Sequence, residues 1–280
     1  MIEIGIDPVV TIGSISIRWY GIFIALAVLT VVTWAVVEVK AKKRLSQDTA
    51  LTAALVGIPS GIIFSRLLHV IDELVQKGSQ SAYFQHPASI IGGSGLTAWG
   101  AVLGAALGIW IYSKVSKFKF ETFADLIAPG IILSQAVGRV GCIINGCCYG
   151  AETGSVCALI YTQPDSFAPL GIPTQPVVLY EILFNLIAFG ILLKLRGRLQ
   201  PEGSLFFVYL SLYSLWRLGS DFLRVGTPFL FGLHQAQIIS IIILLFTIPN
   251  LTLKTRWVKP VQEAAAGQED GTDTSTGRGE

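Results

Sequence analysis

A charged side chain inside a run of apolar residues is costly to hold in hydrocarbon, about 2.5–3.5 kcal/mol on insertion scales. Each one therefore points to a partner, a wet cavity or a task. In this chain of 280 residues they are Arg66, Arg139, Glu181, Arg217 and Asp221. Asp221 follows Arg217 by four positions, so on a helix the two share a face and partly neutralise each other. Arg224, seven positions beyond Arg217, is expected on the same stripe. A structural Arg–acid pair is the plain reading. Two or three cations on one stripe exceed what a single Asp can neutralise, however, and an anion site accounts for them better. Arginine suits such a site because its fixed fork of donors and permanent charge grip phosphate at two points. Arg139, Arg217 and Arg224 fall in the outward halves of their apolar runs, the depth of a phospholipid headgroup.

The most specific run is Gly138-Arg139-Val140-Gly141-Cys142-Ile143-Ile144-Asn145-Gly146-Cys147-Cys148-Tyr149-Gly150. Its glycines let backbone come close to a ligand and expose amide donors around Arg139 and Asn145, or they serve only close helix packing. All four cysteines cluster between Cys142 and Cys157. Disulfides are one reading if this side is oxidising, with Cys147 or Cys148 to Cys157 favoured over the strained vicinal bond. Zinc prefers C-x2-C spacings, which are missing, so no metal is expected. Alternatively Cys142, one turn after Arg139, is a reactive thiol whose thiolate that cation stabilises.

The elements that must position these residues are apolar helices. The chain is 52% hydrophobic and 14% charged, with a mean hydropathy of +0.64; soluble domains carry about 25% charged residues. Seven stretches are long enough to span a bilayer: Trp19–Val37, Leu51–Ile71, Gly95–Tyr112, Phe123–Ile144, Val177–Leu193, Leu205–Leu223 and Ala236–Leu251. Basic clusters follow alternate stretches: Lys40, Lys42, Lys43 and Arg44; Lys114, Lys117 and Lys119; Lys194, Arg196 and Arg198; Lys254, Arg256 and Lys259. By the positive-inside rule those sides are cytoplasmic, and the segment 145–176, free of Lys and Arg, faces outward. The expected fold is an all-α polytopic membrane protein of about seven transmembrane helices, N-terminus outside and C-terminus cytoplasmic. One membrane domain covers 1–259, and the polar segment 260–280 is expected to be a disordered cytoplasmic tail. The net charge of +2 reflects topology, and no nucleic-acid-binding face is present. Internal repeats of the transporter kind are not apparent either.

On these residues the chain resembles the prolipoprotein diacylglyceryl transferases, whose hallmark has the form G-R-x-G-N-x-x-N-G-E-x-x-G. Arg139, Gly141, Asn145, Gly146 and Gly150 match it, while Cys142 and Cys147 stand where the family usually has Asn and Glu. Arg18-Trp19-Tyr20-Gly21 is similar to the family's R-W/Y-Y-G, Leu179-Tyr180-Glu181 to its L-Y-E, and Arg217, Asp221 and Arg224 fall at its R…E…R positions. Gly203-Ser204-Leu205-Phe206 and Gly232-Leu233 with Gln237 and Ser240 resemble the starts of its last two spans.

The resemblance implies an enzyme of the bacterial cytoplasmic (inner) membrane. It moves the diacylglyceryl group of phosphatidylglycerol onto the lipobox cysteine thiol of a prolipoprotein signal peptide, forming a thioether and releasing glycerol phosphate, the first step of lipoprotein maturation. Phosphatidylglycerol, lipobox-bearing precursors and membrane lipids are then its partners; no cofactor, metal or nucleic acid is implied. Arg139 and Arg217 would hold the phosphate and stabilise its growing charge, with Asn145 and Tyr20 as neutral donors and Gly150, Glu181, Asp221 and Arg224 completing the substrate site. A nearby cation also favours the thiolate of the incoming thiol. Trp99-Gly100-Ala101 stands where the family carries H/Y-G-G, and Trp cannot accept a proton; Thr174-Gln175-Pro176 likewise lacks the His that precedes L-Y-E. His69 and His234 are the remaining side-chain bases. Two further readings follow from these departures, a divergent paralogue with envelope thiol or redox chemistry and a non-catalytic binder of anionic phospholipid.

Overall fold

The computed structural model describes residues 1–42, 45–78, 81, 83, 89–92, 95, 97–226 and 232–258. Lys43, Arg44, Lys259 and the tail 260–280 lie outside the described residues. Seven long helices account for most of the rest: α1 Trp19–Lys42, α2 Gln47–Lys77, α3 Ala98–Val115, α4 Phe120–Asn145, α5 Val177–Leu195, α6 Ser204–Ser220 and α7 Gln235–Lys254. Five of them (α1, α2, α4, α5 and α7) are long and apolar enough to cross a bilayer, and α3 is a shorter apolar helix. A helix satisfies every backbone group internally, which is what hydrocarbon demands, and the outer faces carry the matching apolar belt. Leu55, Ile63, Val102, Ile187, Leu215, Leu245 and Leu253 are all more than half exposed. Such a surface would be a liability in water and is ordinary against lipid. The chain is a multi-pass, mainly helical membrane protein.

Helices pair in the order α2 with α3, α1 with α4, α4 with α5 and α6 with α7. With no hydrophobic gain available between helices in lipid, close backbone approach decides such packing. Gly100, Gly104 and Gly108 line one face of α3 at four-residue spacing; a Cβ on Gly108 would lie 2.5 Å from Ser60 Oγ and one on Gly100 2.5 Å from Phe64 O. The α4–α5–α6 seam is filled by Ala128, Ile132, Ala188, Leu192, Leu205 and Tyr209, all buried. At the end of the bundle where α4 begins, Asp125 accepts the backbone N–H groups of Gly203 (2.7 Å) and Phe206 (2.8 Å). It thereby caps the start of α6 from a neighbouring helix, satisfying donors that a helix N-terminus leaves open. Arg196 and Glu38 tie α5 to α1 at the same end.

The fold is not purely helical. Short strands form outside the apolar spans: β1 Ile2–Ile4 pairs parallel with β4 Leu159–Tyr161, β2 Val9–Ile12 forms a hairpin with β3 Ile15–Arg18, and β5 Leu199–Gln200 meets β6 Arg256–Trp257. Valine, isoleucine, threonine and tyrosine, which favour strands, dominate the first two pairs. Their effect is positional: the β1–β4 pair clasps the segment between α4 and α5 against the N-terminus, and β3 runs directly into α1. The ends of α4 and α6 and the starts of α1, α5 and α7 thus meet at one end of the bundle.

Candidate active site

Glu181, near the start of α5, is fully buried and organises this end. Its Oε1 receives Arg139 Nη2 from α4 at 2.7 Å and Tyr213 Oη from α6 at 3.3 Å, and its Oε2 receives Arg224 Nη2 at 2.5 Å. Arg217 Nη2 pairs with Asp221 Oδ1 at 3.1 Å, as the four-residue spacing leads one to expect. Three guanidiniums are therefore set against two carboxylates. Arg217 Nη1 and Arg224 Nε are buried donors without a hydrogen-bond partner among the described residues. Buried donors carry a penalty of about 1–3 kcal/mol each when unpaired, a penalty that an anion placed between them would relieve.

Arg224 does not extend the stripe of Arg217. α6 stops at Ser220, a short 3-10 turn spans Asp221–Leu223, and Arg224 is extended. It is held by a β-bridge to Gly150. Gly150 serves that approach: a Cβ there would lie 2.7 Å from Val177 Cγ2 and 2.8 Å from Gln175 O. This change of backbone direction is what brings Arg224 across to Glu181 in place of Asp221. Asp221 instead accepts His234 Nδ1 at 3.2 Å, while His234 Nε2 meets Gly226 O at 3.3 Å. His234 is the N-cap residue of α7, and its backbone N–H donates to Gln237 Oε1 at 2.9 Å.

Asn145, the last residue of α4 and buried, accepts Arg18 Nη1 on its Oδ1 at 3.1 Å, and Arg18 lies 4.8 Å over the Phe167 ring. Arg18 is a fourth guanidinium at this end, visible in sequence only as part of the R-W-Y-G segment. Tyr20 is half-exposed at the start of α1, within electrostatic range of Arg139 and of three thiols; Gly141 of α4 admits its backbone, with Tyr20 Cα 3.3 Å from a Cβ placed there. Arg66 stands apart. Its guanidinium donates to the carbonyls of Ser89, Ile90 and Gly95 at 2.5, 2.8 and 2.9 Å and lies over Tyr83, binding the α2–α3 connection and not the cluster. His69 lies 3.8 Å from Glu73 on the same helix. A surface depression lined by Gln200, Pro201, Leu253, Lys254 and Arg256 sits at the opposite end and contains none of these groups.

A family model described as prolipoprotein diacylglyceryl transferase matches residues 8–253. The chain belongs to this family. A phosphatidylglycerol–prolipoprotein diacylglyceryl transferase of Dehalococcoides mccartyi is 46% identical over 257 residues, covering 91% of this chain and 96% of that protein. A second protein of that name in Clostridium perfringens is 33% identical over 238 residues, 84% and 90% of the two chains. One from Listeria monocytogenes is 32% identical over 250 residues, 87% and 88%. None of these names points to thiol redox chemistry or to a non-catalytic lipid binder.

Beside Trp99 and the missing His before Leu179-Tyr180-Glu181, two of the cysteines, Cys142 and Cys147, depart from the transferase family pattern. All four are free, and the bond expected from Cys147 or Cys148 to Cys157 is not formed. Cys157 lies exposed in a turn, whereas the Sγ atoms of Cys142, Cys147 and Cys148 lie within 4.8 Å of one another, as metal ligands do. Spacing alone, without a C-x2-C pair, argued against such a group; the left-handed turn past the end of α4 folds it together, with Gly146 at φ 68° and Cys148 at φ 64°. Arg139 Nη1 reaches Cys148 Sγ at 3.6 Å and Cys142 Sγ at 3.9 Å. Hydrogen bonds from Cys142 and Cys147, aided by the charges of Arg139 and Arg224, hold the Cys148 thiol well below its ordinary range. At Cys147 the hydrogen bond from Cys142 works in the same direction, but its donation to Cys148 and its burial outweigh it and leave that thiol raised.

Proposed function

We propose that the protein transfers the diacylglyceryl group of phosphatidylglycerol to the lipobox cysteine thiol of prolipoproteins in the bacterial cytoplasmic membrane. The observation that carries this reading is the arginine-rich cluster around Glu181 and Asp221, with two buried guanidinium donors left over. All seven helices span, the N-terminus is outside and the cluster lies at the outer leaflet; the support is the alternation of basic segments with apolar ones. Phosphate oxygens take the donors of Arg217 and Arg224, and Arg139 turns toward the ester oxygen that becomes the leaving group. The acceptor thiolate attacks the terminal glyceryl carbon, a C–S bond forms as the C–O bond breaks, and the departing glycerol phosphate carries the electron pair. Charge grows on that phosphate in the transition state, which is where fixed guanidiniums act most strongly. Arg18 and Asn145, with Tyr20, frame the mouth of the site as neutral and charged donors to the headgroup.

The test is a lipobox peptide incubated with purified protein in phosphatidylglycerol vesicles. A mass gain of one diacylglyceryl group is expected, and Arg139→Ala should lower the rate by about 10²–10³-fold, the usual effect of deleting one transition-state donor. Transfer by Arg139→Ala at the wild-type rate would refute the assignment.

A further inference from the structure

Soft sulfur donors select Zn2+ and Cu(I) over Mg2+ or Ca2+, and this chain gathers three of them beside the phosphate-binding arginines. We propose that Cys142, Cys147 and Cys148 form a three-thiolate site for a thiophilic d10 cation of the Zn2+ class, whose fourth position is open to the thiol of the acceptor peptide. The second half of this statement rests on the transfer reaction above.

Four observations carry it. Three sulfurs bound at about 2.3 Å to one ion lie roughly 3.8–4.0 Å apart, so sulfurs already within 4.8 Å need to draw together by only about 1 Å. Cys148 holds a left-handed backbone, φ 64°, which a residue with a Cβ adopts at a cost of about 1–2 kcal/mol. Strain of that kind is retained where the surroundings or a function require it, and here it delivers the third sulfur. Third, charge is matched: three thiolates on a divalent ion leave −1, and Arg139 Nη1 already donates to two of the sulfurs, at 3.6 and 3.9 Å. Hydrogen bonds of this kind orient and tune metal ligands. Fourth, access is graded, since Cys142 is buried while Cys148 is exposed, leaving the group anchored on one side and open on the other.

The arrangement also answers a chemical need. Trp99 cannot serve as a base, His234 is placed against Asp221, with Nδ1 3.2 Å from Oδ2, and His69 is placed with Glu73 on α2. A thiol that enters the coordination sphere of such an ion is deprotonated outright. Its proton passes to solvent, the metal-bound thiolate attacks the glyceryl carbon, the C–O bond breaks onto glycerol phosphate, and the ion ends the cycle in its starting oxidation state. Three protein ligands with one open position is the pattern of catalytic rather than structural zinc.

The full-length protein in phosphatidylglycerol nanodiscs, reduced and stripped with chelator, is titrated with Co2+. One equivalent should produce intense thiolate-to-cobalt absorption that Zn2+ then displaces. Cys148→Ser, a change at an exposed position that spares core packing, should weaken Co2+ binding by more than about 100-fold, beyond the ~10–100-fold lost with a merely supporting residue; Cys142→Ser should do the same and Cys157→Ser should leave binding unchanged. Absence of the band, or a band that persists in Cys148→Ser, overturns the site. So does protein purified without reductant and stripped with chelator in which two of the three thiols resist alkylation until reductant is added, since that signals a disulfide. Full transfer activity in stripped protein overturns the open-position role while leaving the transferase reading intact. A normal cobalt band with no peptide mass shift under any metal condition upholds the cation site, and overturns the acceptor role and the transferase reading together.

Discussion

Glu181 is the residue that holds the arginine cluster together. It is buried on α5 and shared between Arg139 of α4 and Arg224 beyond α6. Such a carboxylate does not add stability by being charged, because desolvation offsets most of the attraction; removing it is costly because it strands two cations. Glu181→Gln should therefore lower unfolding stability by about 3–5 kcal/mol, measured as a drop in thermal midpoint in detergent, whereas exposed Glu202, paired with Lys119 at 3.2 Å, should cost under about 1 kcal/mol when changed to Gln. Cys148 makes a separate prediction. Because its thiol is held low by its neighbours, the thiolate persists as pH falls. Iodoacetamide should alkylate Cys148 of chelated protein readily at about pH 6, well below the usual thiol value of about 8.5. Cys147, shifted upward, should react appreciably only in the alkaline range. Peptide mass spectrometry distinguishes the two.

At the scale of elements, the site is built from helix ends, and what matters is where each helix stops. α4 ends at Asn145 against a left-handed Gly146, placing Asn145 toward Arg18 and starting the turn that gathers the thiols. α6 ends at Ser220, which separates Arg217 from Arg224 and lets each find its own carboxylate. The α2–α3 pair has a different role, with Gly100 and Gly104 facing α2 backbone and Gly108 the Ser60 side chain. Gly104→Val should overpack that seam, where a Cβ would already lie 2.5 Å from Ser60 O. Destabilisation of about 1–3 kcal/mol is expected, read from the thermal midpoint. Once folded at low temperature, the variant should retain peptide modification, since α3 supplies none of the arginines.

For the whole molecule, orientation is the property to test. Basic residues lie at the end of the bundle opposite the arginine cluster, where Lys114, Lys194 and Lys254 sit in the last turns of α3, α5 and α7. A fluorescent reporter that matures only in the cytoplasm should be bright when fused after residue 258, and alkaline phosphatase inserted in the segment between β4 and α5 should be active. Dark and inactive fusions, respectively, would reverse the topology and place the cluster in the wrong leaflet for an outward-facing acceptor.

Hydropathy and charge are one-dimensional, and what they govern was legible from the order of residues: a polytopic, mainly helical membrane chain, five of whose helices are long and apolar enough to span, and the cost of Arg139, Glu181, Arg217 and Asp221 in apolar surroundings. The Arg217–Asp221 pair was legible too, because a helix makes four-residue neighbours meet. The rest required packing. That one carboxylate serves Arg139 and Arg224, that Arg18 reaches Asn145, and that three thiols without a metal-ligand spacing converge are contacts between elements. They depend on where α4 and α6 terminate and on which strand clasps which loop. Residue spacing measures distance along the chain, and these groups are brought together only when separate helices share a common end.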